Sequence, residues 1–156
     1  MSYDVQAVIA STQLLRTVTA ALTHTRLGSL RQGFSLLPIT DELFDSVVDY
    51  TADRVQEFRR LPNGFDRTIA SWSQAGPVAY VEAEYFGGTG EQRAAVWHDE
   101  RLVLGPLKVG EKEPFPVEGS PISQALRYLG ARNDGLFDEF SSVGLGEHRS
   151  NEGWVS

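Results

Sequence analysis

"VAYVEAEYFGGTGEQRAAVWHDERLVLG", Val78 to Gly105, contains two alternating runs joined through a glycine cluster and followed by a third, short apolar run. Alternation puts Val81, Ala83 and Tyr85 on one face of a strand and Tyr80, Glu82, Glu84 and Phe86 on the other. A reversal across Gly87-Gly88-Thr89-Gly90 pairs Phe86 with Glu91, Glu84 with Arg93, Ala83 with Ala94, Val81 with Val96 and Tyr80 with Trp97. Small and branched residues then share one face, while an opposite-charge pair and an aromatic pair share the other. A second turn at His98-Asp99-Glu100 leads into Arg101–Gly105, so the stretch predicts a three-stranded β-meander over about 78–105.

Glycine reaches positive φ without a Cβ clash, and a hairpin turn collects it for that reason. Gly87, Gly88 and Gly90 together exceed what one tight turn requires, and the excess points to a bulge or to a close approach by backbone or ligand. A phosphate cradle would feed a helix N-terminus, and neither a Walker pattern nor a full dinucleotide fingerprint is present.

Upstream, "DVQAVIA" (Asp4 to Ala10) reads as an opening strand, and Ser11 or Thr12 caps a helix with Leu14, Leu15, Val18, Ala21 and Leu22 at helical spacing. Leu30 to Ile39 reads as a strand ended by Pro38. Thr40 precedes a helix with Asp41 and Glu42 at its positive end. Its stripe of Leu43, Phe44, Val47, Val48, Val55 and Phe58 predicts a run to Arg59 and Arg60, stopped by Leu61-Pro62-Asn63-Gly64. Phe65, Ile69 and Trp72 mark a shorter helix ending near Gly76-Pro77.

Downstream, Val109 to Ser120 reads as a surface loop, and Ser120-Pro121 opens a short helix closed by Gly130. Leu136, Phe137, Phe140, Val143 and Leu145 are candidate anchors for a tail, whose segment from about 147 is expected to be mobile. The fold expected is α+β: a single domain over 1–156, with an antiparallel sheet centred on the meander and helices packed on one face. The expected core comprises Leu15, Val18, Phe44, Val47, Val48, Val81, Val96, Leu126 and Leu129.

The chain is 156 residues long, 41% hydrophobic and free of cysteine, which suits one domain with a core of its own and removes disulfides and thiolate chemistry. Its start lacks a signal-peptide pattern and no apolar run approaches a membrane span, so a soluble, cytoplasmic protein is expected. The net charge of −7 argues against nucleic acid as a partner. Residues 1–78 carry seven basic and eight acidic residues, whereas 79–156 carry seven and thirteen. That asymmetry points to a basic protein as partner for the C-terminal half.

Candidate binding residues are Glu82, Glu84, Glu91 and Arg93 beside the bare backbone of Gly87, Gly88 and Gly90, with His148 as a possible visitor from the tail. Neighbouring carboxylates on one strand face lie about 7 Å apart and can divide acid and base roles. No GxSxG elbow or HExxH pair occurs, and His24, His98 and His148 have no metal-ligand spacing. No catalytic residue, metal or cofactor is therefore assigned. The leading expectation is a non-catalytic protein-binding module of immunity or inhibitor type. The rival is a small enzyme or ligand-binding protein using Glu82, Glu84, Arg93 and the Gly87–Gly90 loop.

The segment Glu84 to Gln92, with its YFGGxGxQ pattern, together with Gly144 to Arg149, resembles small uncharacterised bacterial proteins carrying the same segment. The resemblance covers Pro77 to Trp154, implies no particular activity and transfers no role to any residue.

Overall fold

A computed structural model describes residues 2–155. The chain runs β1 (Ser2–Ser11), α1 (Thr12–Thr19), β2 (Gly28–Ser29), β3 (Phe34–Pro38), α2 (Asp41–Val47) and α3 (Phe65–Trp72). The meander follows as β4 (Val78–Phe86), β5 (Thr89–His98) and β6 (Arg101–Val109), then α4 (Pro121–Tyr128), α5 (Glu139–Ser142) and α6 (Asn151–Val155). The strands form one antiparallel sheet in the order β2-β3-β1-β4-β5-β6. The α+β architecture expected from the sequence is the one observed.

The hairpin register differs from the expected one by two residues. Glu82 faces Arg93, Glu84 faces Glu91 and Tyr80 faces Ala95. A slip of two leaves every side chain on its expected face, which is why the face assignment survives. Gly87 and Gly88 alone make the turn, with φ of 62° and 81°, the two positive angles that a two-residue hairpin loop demands. Gly90 lies within β5 opposite Tyr85, and a Cβ there would stand 1.9 Å from the Glu84 carbonyl oxygen. The third glycine thus answers to a close backbone approach rather than to the turn.

Helices cover both faces of the sheet, not one as expected. Val5, Ala7, Ile9, Leu36, Val81 and Val96 pack beneath α4 and the C-terminal segment. Val8, Ala10, Leu37, Ile39, Tyr80 and Trp97 pack beneath α1, α2 and α3. The cause is visible in β1, whose residues from Val5 to Ala10 are all buried, as befits an interior strand with both faces covered. Of the expected core, Leu15, Val81, Val96 and Leu126 are fully buried, whereas Val18, Phe44, Val47, Val48 and Leu129 are partly so.

Two elements are shorter than their hydrophobic spacing predicts. Thr40 does cap α2, accepting from the Leu43 N–H, but the helix ends at Val47 and Val48 is extended. Asp49 receives both the backbone N–H and the hydroxyl of Thr51, a local side-chain arrangement that competes with the next helical turn. Residues 48–63 become an irregular loop, yet Phe58 and Leu61 on it are buried against the sheet. The Leu30–Ile39 strand is likewise interrupted before Phe34, where Gln32 and Gly33 both take positive φ.

The segment from 147 onward lies against β1. Asp4 N–H donates to the Arg149 carbonyl, and Trp154 is buried in the core beneath α4. Asn151 is the tie: its Oδ1 accepts from Gln6 N–H at 2.9 Å, while its Nδ2 donates to Gln6 Oε1 and the Ile39 carbonyl. Asn151→Ala removes all three bonds from a buried site and strands the Gln6 N–H, with an expected loss of about 2–3 kcal/mol in urea unfolding.

Both sheet edges are blunted. β2 is two residues long, and β6 carries Pro106, which has no N–H, within an irregular register against β5. Among the described residues no helix is long and apolar enough to cross a membrane.

Candidate functional site

Glu82 is the residue around which one end of the sheet is organised. It is 4% exposed, and its carboxylate is fully engaged. Oε1 accepts the Arg59 N–H at 2.8 Å, while Oε2 accepts the Arg60 N–H at 2.8 Å and the Tyr80 hydroxyl at 2.7 Å. A buried carboxylate is tolerable only with such compensation. Burial first, and the neighbouring Glu82 charge second, push the Tyr80 phenol well above its ordinary range, so it stays a proton donor. The bonds fix the far end of the 48–63 loop onto β4.

Fixing that backbone aims two guanidiniums over the sheet. Arg59 pairs with Glu84 and lies 3.9 Å from Glu91. Glu91 also binds Arg93 at 2.9 Å and approaches Lys108 at 4.0 Å. Arg60 donates to the Ile39 carbonyl, pairs with Asp41 and stacks over the Phe44 ring at 5.5 Å. The like-charged pair Glu84 and Glu91, directly opposite across the hairpin, is bridged by Arg59, and Arg93 adds a second cation on Glu91.

In front of these groups lies a polar cleft of about 390 Å³. Its walls are Asp41, Arg59, Arg60 and Glu84 on one side and Ser150, Asn151 and Glu152 on the other, with Asp4 and Gln6 of β1 between them. Asp41 and Glu84 are matched to Arg60 and Arg59, so the two guanidiniums are spent. Asp4 and Glu152 are exposed, and among the described residues no ion pair joins either to a cation. The cleft therefore carries an excess of two negative charges at its mouth. Its lining contains no histidine. Among the described residues no three His, Cys, Asp or Glu side chains are grouped to hold a metal ion.

The residues expected to act together divide among several places. Glu84 lines the cleft. Glu82 is sealed behind it as a structural anchor, and with Glu91 and Arg93 it borders a crevice of about 10 Å³, too small for a ligand. Gly88 and Gly90 line a separate shallow groove with Tyr85, Lys112 and Phe115, while Gly87 belongs to the turn alone. His148 is exposed and meets the Trp154 ring edge-on at 4.6 Å between centroids. Its neighbours Ser150 to Glu152 supply the cleft wall.

Sequence reasoning missed Asp4, Gln6, Arg59, Arg60, Asn151 and Glu152 as site residues. One signal was present: Asp4 and Gln6 are polar interruptions in an otherwise apolar strand. No family model matches the chain, and no curated protein or solved structure matches it, so the functional reading rests on the geometry of this cleft.

Proposed function

We propose that the protein is a non-catalytic protein-binding module of the immunity or inhibitor type, whose acidic cleft receives a lysine or arginine side chain of a basic partner. The supporting observation is the pair of exposed carboxylates, Asp4 and Glu152, left without cations at the mouth of a cleft whose own arginines are already neutralised. A cation seated there gains charge-assisted hydrogen bonds in a partly desolvated setting. The net charge of −7 adds long-range attraction for a basic partner.

A synthetic lysine-rich peptide, titrated by calorimetry, tests this. The double substitution Asp4→Asn and Glu152→Gln preserves size and lies on exposed side chains, so the urea midpoint should not change. Binding is expected to weaken about tenfold and to lose much of its salt dependence. Equal affinity for the wild-type and substituted proteins would refute the assignment of the cleft.

The volume of the cleft also suits a small cation, since ligand pockets begin at roughly 300 Å³. Free spermidine binding as tightly as the peptide would favour that ligand-binding reading over a protein partner.

A further inference from the structure

We infer that a second docking surface lies on the opposite face of the sheet, beside α4, and takes an apolar segment bearing lysine or arginine from a protein partner. This inference stands apart from the cleft reading. Its basis is a groove of about 300 Å³ between the 109–120 loop and the 133–139 segment. Val117 is fully exposed, Phe137 is 84% exposed and Phe115 is 44% exposed along its rim. Large apolar groups gathered on two facing loops are an unusual expense of surface for an acidic protein, and such patches mark contacts with other macromolecules.

The groove is built rather than loose. Ser120 caps α4 and Asp138 caps α5, so both walls end in helix N-termini fixed by side chains. Arg127 spans the floor, bonding the Glu118 carbonyl at 2.9 Å and the buried Glu139 carboxylate at 3.1 Å. Its charge is spent on Glu139. The carboxylates of Glu118 and Asp138 remain in the groove, and among the described residues neither has an ion pair.

That charge selects the occupant. A second copy would bring the same acidic groove and another net −7, so like charges would meet. An anionic membrane is disfavoured for the same reason. A segment that alternates apolar and cationic side chains satisfies both features: its apolar groups cover Phe115, Val117 and Phe137, and its cations face Glu118 and Asp138.

A fluorescent peptide of alternating lysine and leucine, titrated into the full chain by anisotropy, supplies the test. The exposed-site double variant Val117→Ser and Phe137→Ser is expected to bind about tenfold more weakly, with an unchanged urea midpoint. In the Asp4→Asn and Glu152→Gln background, which removes the cleft as a competing lysine site, Glu118→Lys should still weaken binding about fivefold. Unchanged binding by the Val117 and Phe137 variant would overturn the inference. So would equal binding of a peptide with glutamate in place of lysine, or a concentration-dependent dimer abolished by Phe137→Ser, which would make the occupant a second copy.

Discussion

Glu82→Leu is expected to destabilise the protein by about 4 kcal/mol, the largest effect of any substitution at this end of the sheet. Leucine fills a similar volume but accepts no hydrogen bond, so the N–H groups of Arg59 and Arg60 and the Tyr80 hydroxyl all lose their acceptor. Each buried group left unpaired costs roughly 1–3 kcal/mol, and relaxation of the loop toward water recovers part of the sum. Glu82→Gln should cost less, about 2 kcal/mol, because one amide oxygen replaces two carboxylate oxygens and the amide nitrogen then faces a donor. Urea unfolding measures both. The leucine variant should also lose cleft binding in excess of its stability loss, since Arg59 and Arg60 are aimed by the same bonds.

The Tyr80 hydroxyl adds a pH signature to that picture. Its pKa in the folded state is raised above the ordinary value of 10.0, as is that of partly buried Tyr3, so the unfolded chain ionises first. The contribution is complete below pH 10 and falls as pH rises beyond it, because the unfolded state then binds fewer protons than the folded one.

Gly90→Ala is the second large effect, expected at about 3 kcal/mol, against about 1 kcal/mol each for Gly87→Ala and Gly88→Ala. The two turn glycines have open space around the missing Cβ, and a substitution there meets only the strain of positive φ. At Gly90 the added carbon would meet Glu84 O at 1.9 Å, Tyr85 Cα at 2.6 Å and Glu84 C at 2.8 Å, all backbone atoms of the paired strand. The hairpin must open locally to admit it, displacing Glu84 from the cleft wall. A ranking in which Gly87→Ala is the worst of the three would contradict this explanation of the glycine cluster.

Much of the fold was legible because its signals are local. Alternation from Val78 to Val96 identified the hairpin faces, and Ser11, Thr40 and Ser120 announced three helix starts that the structure confirms. The register expected from a four-residue turn over Gly87 to Gly90 is two residues out because Gly87 and Gly88 alone make the turn. The cation that neutralises Glu84 is Arg59, from a loop 25 residues upstream, which leaves the two-glycine turn free to set the pairing. The 48–63 loop imitated a helix because Val55 and Phe58 fall at helical spacing, while the interruption is encoded by Asp49 and Thr51. The second face of helices was missed for a related reason: a strand buried on both faces has no alternation to read.

The candidate site was legible only at Glu84. Arg59 and Arg60 were noticed as helix-end charges, a reading that vanishes with the helix itself. Asn151 meets Gln6 across 145 positions, and no periodicity carries information over such a separation. Glu82 was singled out with Glu84 as a pair of neighbouring carboxylates on one strand face, but its three donors make it an anchor and not a reactive group.

Chemical-shift mapping of the ¹⁵N-labelled protein during titration with the lysine-rich peptide addresses the cleft most directly. The account requires the largest salt-sensitive shifts at Asp4, Gln6, Glu84, Asn151 and Glu152, where the cleft walls converge. Shifts confined to other surfaces, with those five amides unmoved at saturation, would contradict it.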